Sequence, residues 1–129
     1  DIRLVGQQTV EEIFDKVEAH IKKHSPQVQM IRLGGMDPSQ TPLDSRYTDP
    51  IFKAITHAQG VEPLIVPAMG GSLPNYVFTK TLGLPMFVVP YANHDEANHA
   101  PNENLELDRF IMGIKTGAAM LTHLGEMTK

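Results

Sequence analysis

Two continuous apolar runs alternate with helical patterns in the second half of the chain, and this alternation limits the folds available to it. The runs cover residues 63–67 and 84–91, and the helical patterns cover residues 51–59, about 74–81, and the stretch from about Asn104 onward. Gly60 is predicted to end the first of these helices. The last helix is predicted to have one apolar face, made of Leu107, Phe110, Ile111, Ile114, Ala118 and Leu121. A strand that is apolar on both faces has to be covered on both sides, as in a parallel sheet flanked by helices. The sequence therefore predicts an α/β fold.

The first third of the chain predicts a strand–helix–strand unit. Residues 2–5 and 28–33 are short β-type runs, and Pro26 ends the helix between them. Thr9 and Glu12 form a capping box, which marks the helix start. Apolar residues then recur at helical spacing on one face: Val10, Ile13, Phe14, Val17 and Ile21. Such a unit covers one face of a small sheet.

A segment rich in Gly, Pro, Asp and Ser separates the two patterns. It has little periodicity, and a loop of this length is typical of a linker or a functional crossing. We therefore predict a first domain over residues 1–35, a linker over residues 36–49, and a second domain over residues 50–129.

Charge and composition limit the kinds of partner. The 129 residues carry a formal net charge of −4 and no long basic run, so nucleic acid is not an expected partner. The apolar stretches fall far short of the about 20 residues that span a bilayer, so no membrane partner is expected either. The chain has no cysteine, which excludes disulfides and thiol chemistry and agrees with a cytoplasmic location. No signal peptide is recognisable.

Two loops leave the predicted strands at their carboxyl ends. One contains residues 70–72 and the other residues 91–101. Ligands of open parallel sheets bind outside the carboxyl ends of the strands, and right-handed crossovers bring both loops to the same edge. The sequence therefore predicts a composite ligand site, to which this chain supplies a part.

His99 is the best candidate for a metal ligand. Neutral imidazole suits zinc, and an acceptor such as Glu103 or a backbone carbonyl can fix its tautomer. From spacing alone, the alternative is a loop histidine that caps backbone groups near a helix start. His94 has a poor spacing for a second ligand, which favours a solvated or substrate-facing role. The remaining histidines fall in helical patterns and are interpreted as surface residues: His20, His24, His57 and His123.

The turn Gly70-Gly71-Ser72 is a candidate anion site. Glycine lets backbone N–H groups approach a phosphate or a carboxylate, and a following helix N-terminus adds favourable partial charge. The alternative is a tight strand-to-helix turn that needs positive φ. The pattern G-x-G-x-x-G and the P-loop lysine are both absent, which disfavours a dinucleotide or nucleoside triphosphate site.

Two arginines could grip a carboxylate with a pair of parallel hydrogen bonds. Arg3 lies in a predicted strand and Arg46 in the linker. The alternative for each is an exposed charge at the end of an element. The nucleophile-elbow pattern G-x-S-x-G is absent, which disfavours a serine hydrolase.

Three segments together resemble a known family. They are Asp-Ile-Arg-Leu-Val-Gly-Gln-Gln-Thr-Val-Glu-Glu (1–12), Gly-Gly-Ser-Leu-Pro (70–74) and Asn-His-Ala-Pro-Asn-Glu (98–103). In this order and spacing they are similar to landmarks of the co-catalytic zinc peptidases, a family that includes carnosinase-type dipeptidases, carboxypeptidase G, aminoacylase and acetylornithine deacetylase. The Gly-Gly-Ser turn is closest to the dipeptidase branch.

The resemblance implies roles for particular residues. His99 matches the last zinc ligand, in the segment His-x-x-Asn-Glu, with Glu103 beside it. Ser72, with Gly70 and Gly71, matches the turn that holds the substrate carboxylate, and Arg3 matches an arginine that grips the same group. The family has two zinc ions. Its fold implies a catalytic domain with a parallel-rich sheet, of phosphorylase/hydrolase-like type, and half of a ferredoxin-like lid that forms homodimers.

The family's other zinc motifs do not occur in this chain. The His-x-Asp motif, the bridging aspartate and the glutamate pair that includes the general base are absent. The resemblance therefore covers the C-terminal portion of such an enzyme, and we expect no turnover from this portion without the missing N-terminal part. The expected substrates are dipeptides or short peptides with a C-terminal carboxylate.

Three alternatives stay open at this point. The full-length protein could be an N-acyl-amino-acid deacylase of the same family. The chain could instead be a non-catalytic α/β module that binds a small anion through the Gly-Gly-Ser turn. A family member that lost its metals and acts as a partner subunit is the third.

Overall fold

The computed structural model describes residues 1–127, and helices are its regular elements. Three α-helices lie in this range: α1 (Val10–His24), α2 (Thr48–Gln59) and α3 (Leu107–Glu126). A π-helical turn over Val77–Thr81 lies between α2 and α3. None of the helices in the described range is long and apolar enough to cross a membrane.

Helix α1 begins where the capping pattern predicts. The hydroxyl Oγ1 of Thr9 accepts a hydrogen bond from the backbone N–H of Glu12 at 3.2 Å, which satisfies one of the free donors of the first turn. The carboxylate of Glu12 does not return to the cap residue. It pairs instead with the ammonium of Lys16, one turn later, at 2.5 Å. Half of the predicted capping box is therefore present.

The apolar stripe of α1 is half-buried, and Arg32 fixes the following segment to the helix. Its guanidinium donates to the carboxylates of Glu11 at 2.7 Å and Asp15 at 2.5 Å. The same group lies over the ring of Phe14, 5.0 Å from the centroid. The hydrogen bond to Asp15 is the main reason that the pKa of Arg32 is raised above its ordinary value.

Helices α2 and α3 pack against each other and hold the small core of the molecule. Ala54 and Thr116 are fully buried, and Ile55 is 8% exposed. Gly60 ends α2 in the left-handed conformation, with φ of 73°, as predicted from its position. The apolar face predicted for α3 is exposed at most of its positions: Leu107, Phe110, Ile111, Ile114 and Leu121.

The predicted strands do not form within residues 1–127. Residues 2–5, 28–33, 63–67 and 84–91 carry no strand, and the parallel sheet and the ferredoxin-like half-lid are therefore not confirmed. A strand is defined by its pairing with a neighbour, and these segments have none among the described residues. Their apolar side chains consequently stay in water, up to 95% exposure for Leu33.

One residue of these segments has a substitute for a strand partner. The hydroxyl of Thr41 donates to the carbonyl of Met86 at 2.9 Å and accepts from the backbone N–H of the same residue at 2.8 Å. A single side chain therefore satisfies both backbone groups of Met86.

The chain divides into two compact units. We call Asp1–Thr41 together with Ala68–Met86 the first unit, and Pro42–Pro67 together with the residues from Phe87 onward the second unit. The Gly-Gly-Ser turn thus groups with the N-terminal residues. The domain boundaries predicted at residues 35 and 49 stay predictions.

The chain exposes more surface than a self-contained domain of its size. Its accessible surface is 10104 Å², whereas a folded monomer of this mass exposes about 6,800 Å². Exposed apolar side chains on both units contribute to this excess. Such faces are ordinarily covered by further polypeptide.

Candidate functional site

Arg3 and the Gly-Gly-Ser turn meet in the first unit. The Nη2 group of Arg3 donates to the carbonyl oxygen of Gly70, and its Nη1 group lies 3.4 Å from a carboxylate oxygen of Asp1. Arg3 and Gly70 are 67 residues apart in sequence. The hydroxyl of Ser72 makes no hydrogen bond within the described range. Two of the predicted substrate-binding elements therefore lie together, with a free hydroxyl two residues along.

The glycines of this turn are not required by its backbone conformation. The described glycines with positive φ are Gly6, Gly34, Gly60 and Gly83, so the alternative explanation of Gly70 and Gly71 as a positive-φ turn is wrong. A Cβ atom built on Gly70 meets nothing within 4 Å, and one on Gly71 lies 3.2 Å from the terminal methyl of Met69. The backbone of the turn is therefore open to a ligand from outside.

The helix predicted after the turn begins later and is shorter than expected. The sequence predicts a helix from Pro74, whereas the structure has the five-residue π-helical turn Val77–Thr81. A helix macrodipole acts within the first turn of a helix of several turns. The partial positive charge expected at Gly70-Gly71-Ser72 is therefore missing, and Arg3 is the charged donor at this turn.

Arg46 is engaged elsewhere. Its Nη2 group donates to the phenol oxygen of Tyr47 at 2.6 Å, and its guanidinium lies over the same ring. This contact with the adjacent residue agrees with the alternative of an exposed structural charge.

His99 lies in an exposed loop of the second unit with an unusual backbone conformation. Its φ is 60°, and Ala97 and Asn102 also have positive φ, at 54° and 65°. Residues with a Cβ rarely adopt this conformation. The imidazole of His99 has no hydrogen-bond partner among residues 1–127, so both ring nitrogens are available to a ligand. His94, also exposed, lies 3.9 Å from the carboxylate of Asp95.

A network of asparagine side chains closes the His99 loop. The amide nitrogen of Asn93 donates to Asp95 at 2.7 Å and to Asn104 at 2.9 Å, and its oxygen accepts from the backbone N–H of Glu106 at 3.1 Å. Asn93 is one of the few buried polar residues, at 4% exposure. No pattern in the sequence predicted this network.

A shallow cavity of about 440 Å³, open to solvent, lies beside the loop. Its lining consists of Tyr91, Ala92, Glu96, Glu103, Asn104 and Leu105. Burial raises the pKa of the Tyr91 phenol above its ordinary value. Glu103 faces this cavity and makes no hydrogen bond to the imidazole of His99 in the described structure. Its predicted contact with that ring stays a prediction.

The described residues can supply one metal ligand but not a complete site. No group of three or more His, Cys, Asp and Glu side chains in residues 1–127 can hold a metal ion. His99 suits zinc as a single ligand because its imidazole is exposed and free of hydrogen bonds. Any further ligands come from outside the described part of the chain.

Comparison with known proteins gives matches that include two metallopeptidases. No family model matches the chain. It is 31% identical over 86 residues to Cys-Gly metallodipeptidase DUG1 of Saccharomyces cerevisiae, an alignment that covers 66% of this chain and 18% of that protein. The structure matches an M20 family metallo-carboxypeptidase, Sso-CP2 of Sulfolobus solfataricus, with a TM-score of 0.83 at 24% identity, over 92% of this chain and 28% of that one.

These matches agree with the resemblance drawn from the three motifs. The structural match shows that the described residues have the fold of a part of an M20 peptidase, although the sheet and half-lid details are not seen among them. The chain spans less than a third of the length of either relative. The chain is therefore homologous to a portion of the M20 metallopeptidases, and its sequence match is to a dipeptidase, the branch that the Gly-Gly-Ser turn indicated.

Proposed function

We propose that this chain is part of a zinc-dependent hydrolase that cleaves the peptide bond of dipeptides or other short substrates with a free C-terminal carboxylate. The contact between Arg3 and Gly70 is the observation that carries this proposal. It joins the arginine and the glycine turn that the family resemblance assigns to the substrate carboxylate. The names of the two relatives, a metallodipeptidase and a metallo-carboxypeptidase, support the same class of reaction.

Arg3, Gly70, Gly71 and Ser72 are proposed to hold the substrate carboxylate. The guanidinium of Arg3 has further N–H groups beyond the one bound to Gly70, and such a fork binds a carboxylate with charge-assisted hydrogen bonds. The Ser72 hydroxyl can donate a further hydrogen bond, and the open backbone of the turn lets the ligand approach closely. Arg3 is about half exposed, so its charge acts at full strength only where the substrate itself excludes water.

His99 is proposed to bind one of two zinc ions in the full-length protein. When bound, zinc polarises the scissile carbonyl and lowers the pKa of a coordinated water to about 7. The imidazole of His99 contributes a neutral nitrogen ligand from a loop whose conformation is fixed on both sides. The general base and the other zinc ligands are proposed to lie in the missing N-terminal part. The homodimer is proposed to form through the lid domain, in a cytoplasmic enzyme. The described portion is proposed to be inactive alone.

The test of the metal role is His99→Ala in the full-length protein. We expect a loss of about one equivalent of zinc, measured by mass spectrometry of the metal content, and a fall in turnover of at least about 100-fold. His94→Ala is the matched control for metal content, because His94 is an exposed histidine of the same loop, and it should keep its zinc. Full zinc content and turnover in the His99 variant would contradict the proposal.

The test of the carboxylate role is Arg3→Ala with paired substrates. Loss of a charge-assisted hydrogen bond costs about 1.5–3 kcal/mol, so KM for a dipeptide should rise about 10- to 100-fold. The KM for a substrate with an amidated C-terminus should differ little between Arg3→Ala and the wild type. An equal rise in KM for both substrates would contradict the proposed contact between Arg3 and the substrate carboxylate.

Adding N-acyl amino acids to this substrate panel tests two of the three alternatives. An N-acyl-amino-acid deacylase would prefer N-acyl amino acids to dipeptides while keeping the dependence on Arg3. A non-catalytic module would bind a small carboxylate without zinc and hydrolyse neither substrate class.

A further inference from the structure

We propose that Asn93 is a positioning residue that holds the loop of His99 in its metal-binding conformation. The inference rests on the proposed role of His99 as a zinc ligand. Asn93 does not touch the metal in this proposal. It acts through the loop backbone.

The Asn93 amide uses both of its donor hydrogens and its acceptor. The nitrogen donates to a carboxylate oxygen of Asp95 and to the side-chain oxygen of Asn104, and the oxygen accepts from the N–H of Glu106. Glu106 is the residue immediately before α3. One buried side chain thus ties the start of the loop to the start of the next helix.

Asn104 extends this network to the middle of the loop. Its backbone N–H donates to the carbonyl of Glu96 at 2.9 Å. Its side-chain nitrogen lies 3.2 Å from the carbonyl of Asp95 and 3.3 Å from that of Asn102. The two asparagines together close the loop on both sides of His99.

The loop needs this closure because its backbone is unfavourable. Ala97, His99 and Asn102 all have φ between 54° and 65°, a conformation that costs free energy for residues with a Cβ. Such residues persist where surrounding contacts fix them. Without the amide of Asn93, the backbone at His99 is expected to relax, and the imidazole would leave its position.

No other side chain of this size supplies the same three hydrogen bonds. Aspartate has the same shape but no donor, and it would place a second negative charge beside Asp95. Serine is too short to reach both partners and has one donor. Asn93→Asp is therefore the sharpest substitution, since it changes hydrogen bonding and charge while keeping volume.

The experiment measures metal binding in the full-length protein. Affinity for Zn²⁺ is determined by competition with a chelator, and the visible absorption of the Co²⁺-substituted protein reports the ligand geometry. For Asn93→Asp we expect affinity to fall about 10- to 100-fold, as for loss of a residue that orients a metal ligand. The Co²⁺ absorption should shift towards that of His99→Ala.

Thr116→Val is the matched control for a general loss of stability. Thr116 is a fully buried polar residue of the same unit, and its hydroxyl donates within α3 to the carbonyl of Met112 at 2.8 Å. It should leave the Zn²⁺ affinity and the Co²⁺ absorption unchanged. An equal loss in both variants, or a folded Asn93→Asp protein with wild-type affinity, would overturn the inference.

Two further results make the outcome unambiguous. If Asn93→Asp does not fold, the same measurements are made on Asn104→Asp. This variant loses the side-chain N–H groups that donate to the carbonyls of Asp95 and Asn102, and Asn104 is more exposed than Asn93. It should weaken binding in the same direction, and wild-type affinity would overturn the inference. If His99→Ala itself keeps full metal affinity, the proposed function fails. If Zn²⁺ affinity falls in His99→Ala but not in the asparagine variants, the inference about Asn93 is wrong and the proposed function still stands.

Discussion

Each of the two units is stabilised internally by a different kind of contact. In the second unit, α2 and α3 pack around apolar and small side chains, with Ala54 and Thr116 fully removed from water. In the described part of the first unit no residue is buried. Hydrogen bonds between side chains and backbone groups are instead its main stabilising contacts. Asp37 bonds to Val10, Thr41 to Met86, and Arg3 to Gly70.

This difference indicates how each unit relates to the rest of its protein. Apolar burial supplies most of the free energy of folding, and hydrogen bonds contribute less on a net basis. The helix pair therefore has some stability of its own, whereas the first unit needs a covering surface. The proposed metal ligand lies on the unit with a core, and the proposed carboxylate grip lies on the unit without one.

The largest expected effect comes from the core of the second unit. Ile55→Ala should lower the free energy of unfolding of α2 and α3 by about 3 kcal/mol, because it removes a buried side chain from a small core. Hydrogen exchange of the helix amides in the full-length protein measures this. Leu121→Ala is the control, since Leu121 is 78% exposed, and it should cost under about 0.5 kcal/mol. An equal cost would mean that further polypeptide covers this face of α3.

A smaller effect is expected from the polar contacts of the first unit. Asp37 accepts a hydrogen bond from the N–H of Val10 at 2.9 Å, and its other oxygen lies 3.0 Å from the ammonium of Lys80. The bond to Val10, followed by that to Lys80, lowers the pKa of Asp37. Asp37→Ala should therefore reduce the protection of the first turn of α1 by about 1 kcal/mol at neutral pH.

The pH dependence of that effect follows from the direction of the shift. A lowered folded-state pKa gives stability that is present above the ordinary pKa of about 4 and is lost as pH falls through the folded-state value. The difference between wild type and Asp37→Ala should therefore shrink below about pH 4. Protection factors measured across this range test it, with Asp44→Ala, at an exposed carboxylate, as the control. A difference that is constant with pH would show that the charge of Asp37 has no part in it.

The smallest effect separates two glycines of α3. Replacing a helical glycine by alanine gains about 1 kcal/mol of helix propensity. A Cβ on Gly117 meets nothing within 4 Å, whereas one on Gly113 lies 3.3 Å from the ring of Tyr91. Gly117→Ala should therefore be the more stable variant in thermal unfolding. Destabilisation by Gly117→Ala would show that this part of α3 is packed in the full-length protein, and that the second unit is less independent than its core suggests.

The sequence predicted local features well, because their causes are local. The Thr9 cap and the Gly60 stop depend on residues within one turn, and both are confirmed. The strands could not be confirmed in the same way, because a strand depends on a neighbour that can lie anywhere in the protein. The sheet edge that was expected to organise the site is therefore not seen among residues 1–127.

The candidate site was only partly accessible to sequence reasoning. Arg3 and Gly70 are 67 residues apart, and no periodicity links them, so the family resemblance alone put them at one site. The Asn93 network was missed because it depends on left-handed backbone at Ala97 and His99, where no glycine marks it. The one feature of the sequence that pointed to this network is the pair Asn93 and Asn104, which flank the loop of His99.

The double hydrogen bond between Thr41 and Met86 also bears on aggregation. Residues 84–91 form an apolar segment without regular secondary structure. Unpaired backbone groups of an apolar segment are a template for association with other chains. Thr41 occupies both the donor and the acceptor of Met86, so a second chain cannot pair with this residue without displacing the hydroxyl. Pairing of a second chain at Met86 therefore carries the cost of breaking two hydrogen bonds within the first unit.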